Sequence, residues 1–257
     1  MRQRSYLLIE IAVPVALIAG WWFVSANSDH PFWPPLGDMW EAFLEKWTPE
    51  GIRADVLPSL LRMAGGFLLA TALGIAIGTA VGLSTQLRHY LDPVLQFLRA
   101  VPPPALIPVA LLLFGLGDSG KIFLIVLGAV WPVVLSTEDG VRSVDSTLRD
   151  AAVVYRLSPW KRLRTVVLPS ASPHIFAGVR TCLSISLLLM VISEMVAATN
   201  GLGHYIIQSQ RTLDISSMWS GMFLLGILGY ALTALFLLVQ RRILRWHPDF
   251  RSGAGRN

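Results

Sequence analysis

Charge is scarce in this chain. Only 14% of its 257 residues are Asp, Glu, Lys or Arg, where a soluble domain carries about 25%. Hydrophobic residues make up 54% and the mean hydropathy is +0.58, so an ordinary soluble domain is excluded and the membrane class remains. Cysteine is nearly absent. The single one, Cys182, rules out an intramolecular disulfide and any CxxC metal site, and lies in an apolar run as a small buried hydrophobe. The five histidines, at positions 30, 89, 174, 204 and 247, form no HxxxH or HExxH pattern, so no metal is assigned. Carboxylates within apolar runs are limited to Glu10 and Glu194, too few convergent titratable groups for a membrane-embedded enzyme. A pI of about 9.8 points to basic cytoplasmic loops rather than to nucleic acid.

What is present is a set of apolar runs, each near the ~20 residues a bilayer span needs. Six are read: Leu7–Val24, Met63–Leu83, Ala100–Gly117, Ile122–Leu135, Ile175–Ala198 and Met218–Val239. The fourth is short and the fifth is crossed by Arg180 and Glu194, so both are expected to face protein rather than lipid. With both termini cytoplasmic, the outer side keeps only Lys46, Arg53, Arg62, Lys121 and Arg211 of the basic residues. Arg88, Arg99, Arg142, Arg149, Arg180 and the basic C-terminal tail then fall inside, as the positive-inside rule requires. The first run, ending Val24-Ser25-Ala26, also has the outline of a signal peptide; a retained first helix is the simpler expectation.

Between spans one and two, Trp40, Phe43, Leu44 and Trp47 recur at helical spacing and predict an amphipathic helix at the membrane interface. In span two, Ala70, Gly74, Gly78 and Gly82 stand four apart, a spacing that lets helix backbones approach closely; internal packing is the expected use. Pro102, Pro103, Pro104, Pro108 and Pro132 predict a broken or kinked helix, either a wall of a pathway or a packing device. Gly115 to Lys121 fits GxxxxGK, but Ile122 stands where a P-loop needs Ser or Thr and no strand precedes it. Gly115-Leu116-Gly117-Asp118 likewise has no second aspartate at its depth for acid–base chemistry. A tight turn between two membrane helices remains. Glu194, beside Ser193, is a pathway or gating candidate by default, with a bond to neighbouring backbone as the alternative.

The segment between spans four and five is too polar to cross a bilayer and too patterned for a plain loop. It reads Arg149-Asp150-Ala151-Ala152, then Pro159-Trp160-Lys161-Arg162-Leu163-Arg164, ending at Pro169. It resembles the EAA loop of the permease subunits of ABC importers. Arg99-Ala100-Val101-Pro102-Pro103, Leu106-Ile107-Pro108, Phe114-Gly115-Leu116-Gly117, Glu194-Met195 and Ala197 to Gly203 are similar to the nitrate, sulfonate and taurine group of that family, and the resemblance runs over nearly the full length.

The resemblance implies an all-α membrane protein of six transmembrane helices in the ABC importer permease fold, with a cytoplasmic coupling helix between spans four and five. It implies three regions: 1–56, a first helix and outer amphipathic segment; 57–246, the permease core; and 247–257, a cytoplasmic tail. It implies ATPase-coupling residues Asp150, Ala151, Ala152, Tyr155, Arg156, Leu157, Ser158, Trp160 and Lys161, and pathway residues Pro103, Pro104, Ser193 and Glu194. It implies no catalysis on this chain, with ATP and magnesium on a separate ATPase dimer. An extracytoplasmic binding protein and a second permease copy are the further partners, in a bacterial cytoplasmic membrane. The cargo implied is a small anion of the sulfonate, taurine or nitrate type, moved by alternating access. Two departures stand out: Asp150 where the family prefers Glu, and Arg156 where it prefers the Gly of a sharp turn, a break that Ser158-Pro159 could supply instead. Without the resemblance, the loop could equally be a basic stretch lying on anionic lipid, and a gradient-driven transporter is the rival reading of the whole chain.

Overall fold

A computed structural model describes residues 32–246 continuously and, before them, residues 12, 13, 16, 19–23 and 25, all helical. Most of the first predicted span, Leu7–Val24, and the tail 247–257 lie outside the described residues, as do Arg2, Arg4, Arg251 and Arg256.

Among the described residues there is no strand. The helices are α1 (Leu36–Lys46), α2 (Pro49–Leu83), α3 (Thr85–Ala100), α4 (Ile107–Phe114), α5 (Asp118–Arg142), α6 (Ser146–Val154), α7 (Pro159–Ala197), α8 (Leu202–Arg211) and α9 (Ile215–Ile243). Helices α2, α5, α7 and α9 are each long and apolar enough to cross a membrane. Helix α3 and the stretch Pro103–Phe114 qualify together as a fifth crossing, bent by 82°. An all-helical membrane fold is what the sequence led us to expect.

Several boundaries differ from the hydropathy reading. Span four is the full 25 residues Asp118–Arg142 and span five the 39 residues Pro159–Ala197. Both extend past their apolar centres because their polar ends find partners. Helix α2 begins at Pro49 and runs through residue 57, so part of the expected outer loop is helical. Span three does not start at Ala100. Its first half is α3, a helix whose polar residues lie along one side and so dilute any linear hydropathy average.

Two wide π turns, Ile52–Val56 and Leu163–Val167, interrupt α2 and α7. Each is followed at once by Leu-Pro, at Pro58 and Pro169. A proline ring cannot sit against the carbonyl four residues back, and a widened turn is one way a helix absorbs it.

The core is a three-helix pack of α2, α5 and α7. Val130, Val133, Val134 and Val141 of α5 bury against Ala70 of α2 and against Ala171, Val179 and Cys182 of α7. The small-residue stripe makes the α2–α5 contact possible. A Cβ added to Gly78 would lie 2.4 Å from the Val134 carbonyl oxygen, and one on Gly74 2.5 Å from Val133. The internal-packing reading of the stripe therefore holds. Helix α1 packs on α9 through Met39, which is fully buried. Trp40 stays largely exposed and stacks on Phe43 at 5.4 Å.

Candidate functional site

The two ends of α5 carry two different constructions, separated by about 36 Å at 1.5 Å per residue. That exceeds the ~30 Å of a bilayer core.

At the Arg142 end stands a knob built from α6, a turn and the first turns of α7. Asp145 caps α6 by accepting from the Thr147 amide at 2.7 Å. The helix closes with the Leu157 amide donating to the Ala152 carbonyl at 3.0 Å and the Arg156 amide to Val153 at 2.8 Å. Those two bonds define a Schellman closure, whose penultimate residue must be left-handed. Arg156 takes that conformation itself, with φ +52°. The sharp turn that the sequence left between Arg156 and Ser158-Pro159 thus uses both. Arg156 supplies the left-handed residue, and Ser158 caps α7 by accepting from the Lys161 amide, with Pro159 at the first helical position.

The knob is braced from behind. Arg149 donates to the carbonyls of Val141 and Arg142 at the end of α5, a favourable site for a cation. Ala152 is buried against the base and Leu157 is half-buried. Val153, Val154, Tyr155 and Trp160 face outward, with Val154 and Tyr155 nearly four-fifths exposed. Asp150, Arg156, Ser158 and Lys161 are also exposed, and Ala151 is half-buried. Of the expected coupling residues, the structure gathers Asp150, Ala151, Tyr155, Arg156, Ser158, Trp160 and Lys161 on the exposed part of one projection, with Ala152 and Leu157 against its base. It adds Val153 and Val154, which sequence reasoning passed over as helix filler, and Arg149 as their brace. Leu163, expected in the apolar part of the knob, packs against the core instead.

At the Asp118 end lies a buried ionic lock. Glu194 has no exposed surface. Its carboxylate accepts from Arg62 Nη1 at 2.7 Å, lies 2.8 Å from the Ser59 hydroxyl and accepts from the Gly203 amide at 3.1 Å. Arg62 also donates to Asp118 at 2.7 Å and to the Asn200 side chain at 2.6 Å. Asp55 accepts from the Gly201 amide, and Ser59 from the Leu202 amide. The amides of Gly201, Leu202 and Gly203, at the start of α8, are thus satisfied by α2 and α7 side chains, as a helix N-terminus requires. Gly201 sits at φ +115°, and a Cβ there would lie 2.5 Å from the Glu194 carboxylate. The lock joins α2, α5, α7 and α8. Within it the backbone-bond alternative for Glu194 describes its contacts. Ser193 donates to the Met190 carbonyl and borders a small cleft with Lys121 and Ile107.

Lys121, the lysine of the P-loop-like string, donates to the Leu116 and Gly117 carbonyls at 2.8 and 3.2 Å, and Gly115 has φ +69°. The string is a helix-to-helix turn. Pro103 lies against α5, where a Cβ on Gly128 would be 2.7 Å from its ring, and Pro104 is exposed. Among the described residues no group of His, Cys, Asp and Glu is arranged to hold a metal.

A helical core of this topology, with a braced apolar projection between its fourth and fifth crossings, matches a known family. Residues 70–246 match the family described as the binding-protein-dependent transport system inner membrane component. The chain belongs to this family. The permease is 35% identical to the putative aliphatic sulfonates transport permease protein SsuC of Bacillus subtilis, over 76% of this chain and 70% of that one. It is 36% identical to the bicarbonate transport system permease protein CmpB of Synechococcus elongatus, over 76% and 71%. It is 33% identical to the nitrate import permease protein NrtB of the same organism, over 76% and 71%. Among solved structures, inward-facing MetNI methionine ABC transporter superposes with a TM-score of 0.62 at 21% identity, over 76% of this chain and 94% of that one. That likeness supports the fold.

Proposed function

We propose that this permease forms the membrane pathway of an ATP-driven importer for a small oxyanion of the sulfonate, taurine, nitrate or bicarbonate type. An extracytoplasmic binding protein delivers the anion, and two ATPase subunits, which carry the ATP and magnesium, drive a pair of permease copies between outward- and inward-open states. The chain itself catalyses no reaction. Names of relatives support the anion class; the knob supports the coupling.

The observation that carries this reading is the exposed apolar surface of Val153, Val154, Tyr155 and Trp160 on a projection braced by Arg149. Solvated loops do not hold four large apolar side chains outward at a fixed turn without a partner. A cleft on an ATPase supplies one, with Arg156 and Lys161 at the polar rim. Because α7 is continuous from Pro159 to Ala197, a push on Trp160 is transmitted along one rigid helix to the lock at Glu194. Topology with the knob cytoplasmic agrees with the concentration of Arg and Lys at that end.

The test is co-purification. The double variant Tyr155→Ser, Trp160→Ser, and separately Ala151→Asp, are expected to insert normally and to reduce the ATPase recovered with the permease at least tenfold. Wild-type recovery with both variants contradicts the coupling assignment.

A further inference from the structure

Helix α3 is amphipathic in a way that a lipid-facing helix is not. Tyr90, Val94 and Phe97 are exposed on one side. Arg88, Asp92, Gln96 and Arg99 follow one another at helical spacing on another. Asp92, Gln96 and Arg99 border a cleft of about 60 Å³ against Trp131, Leu135 and Glu138 of α5, room for a few waters or a small oxyanion.

The depth of this stripe follows from two contacts. Arg88 Nε is 2.9 Å from Glu138 Oε1, and Pro103 touches α5 at Gly128. Gly128 lies about 15 Å along α5 from Asp118 at one end and about 15 Å from Glu138 toward the other. Arg99, one turn before Pro103, therefore sits near the middle of the bilayer, well away from the cytoplasmic surface where its charge first suggests it belongs.

A cation at that depth is costly against lipid. It requires water or a counter-charge. Arg88 has Glu138, and Asp92 accepts from Gln96 at 3.0 Å. Arg99 makes no ion pair among the described residues, and its side chain is exposed. The bend beside it adds nothing in its place. Pro102, Pro103 and Pro104 have no N–H to offer, and the next amide, Ala105, is spent on the Pro102 carbonyl at 2.9 Å.

We infer that Arg99 is the anion-contact residue at the midpoint of the pathway, its guanidinium fork donating two parallel N–H bonds to two oxygens of a passing sulfonate, nitrate or bicarbonate. The inference rests on the importer reading above and adds to it the group that favours anions over cations. A planar fork matches planar or trigonal oxyanion edges better than an ammonium does. The absence of a fixed carboxylate partner keeps the site weak enough to release its cargo.

The test uses the assembled transporter, permease with its ATPase and binding protein, in proteoliposomes, with ethanesulfonate, nitrate and bicarbonate as probes. Arg99→Gln is expected to lower uptake of the transported probe at least tenfold with undiminished ATPase recovery. Arg99→Lys is expected to restore part of it. In a Cys182→Ala background, Arg99→Cys gives a chain with one thiol. A membrane-impermeant sulfonate-bearing thiol reagent is expected to label it, and the transported probe to slow that labelling. Unchanged uptake in Arg99→Gln, or an introduced thiol that stays unlabelled in the assembled complex, overturns the inference. So does loss of assembly in both variants, which makes Arg99 a packing residue. If wild-type permease recovers no ATPase at all, the importer reading fails instead, and the two failures are told apart.

Discussion

At the residue scale, Arg156 and Gly201 make opposite points about left-handed backbone. Arg156 pays about 1 kcal/mol to sit at φ +52°, the ordinary cost of that conformation for a residue with a Cβ. It is tolerated because the two Schellman bonds and the Ser158 cap over-determine the turn. Arg156→Gly is therefore expected to keep ATPase recovery at the wild-type level. Arg156→Val, with a β-branched side chain ill-suited to positive φ, is expected to lose most of it. Equal recovery in both variants would show that the turn does not shape the knob. At Gly201 there is no such latitude, since φ is +115° and the Glu194 carboxylate fills the space a Cβ needs. Glu194 itself answers to Arg62, Ser59 and Gly203, and removing one partner of a buried pair costs several kcal/mol. Glu194→Gln is expected to lower stability by on the order of 3 kcal/mol, read as a fall in the thermal midpoint of the purified complex. An unchanged midpoint would return Glu194 to consideration as a transport residue alone.

At the element scale, legibility followed periodicity. The Ala70, Gly74, Gly78 and Gly82 stripe announced a close helix contact, and the α2–α5 interface delivers it through Val133, Val134 and Val141. Gly78→Leu is accordingly expected to abolish folded protein, because its Cβ would meet backbone rather than a movable side chain. Gly37→Leu, where no atom lies within 4 Å of an added Cβ, is expected to be neutral; fluorescence-detected size exclusion of the two variants checks the contrast. The prolines announced a break at Pro102–Pro104 but not that its first half begins at Thr85. Arg88, Asp92, Gln96 and Arg99 lie on one side of α3 and dilute a linear hydropathy average. The knob was legible as a patterned polar segment, and the family resemblance named its use. Its brace was not legible, because Arg149 reaches back to the carbonyls of Val141 and Arg142 across a turn that no spacing rule reveals. Nor could spacing show that Glu194 and Arg62 meet, since they are distant in the chain and close only once α2 and α7 pack.

At the scale of the whole molecule, the chain is a lever with a fixed end and a working end. Helices α2, α5 and α7 bind each other by valines set into glycines, the lock at Glu194 ties their outer ends, and the knob projects from the other side of the bilayer. Helix α9 buries only Ile215, Ser220, Gly221 and Gln240, so most of its surface is left for lipid or for another subunit. An isolated chain of this design has no source of energy. Its outward apolar side chains at Tyr155 and Trp160 mark where energy enters. The most direct test of that claim is uptake of a labelled probe anion by proteoliposomes holding the permease, its ATPase and its binding protein, with ATP supplied or withheld and all ion gradients collapsed. The account predicts uptake that requires ATP and disappears with the Tyr155→Ser, Trp160→Ser variant. Uptake that persists without ATPase and follows an imposed ion gradient would contradict it.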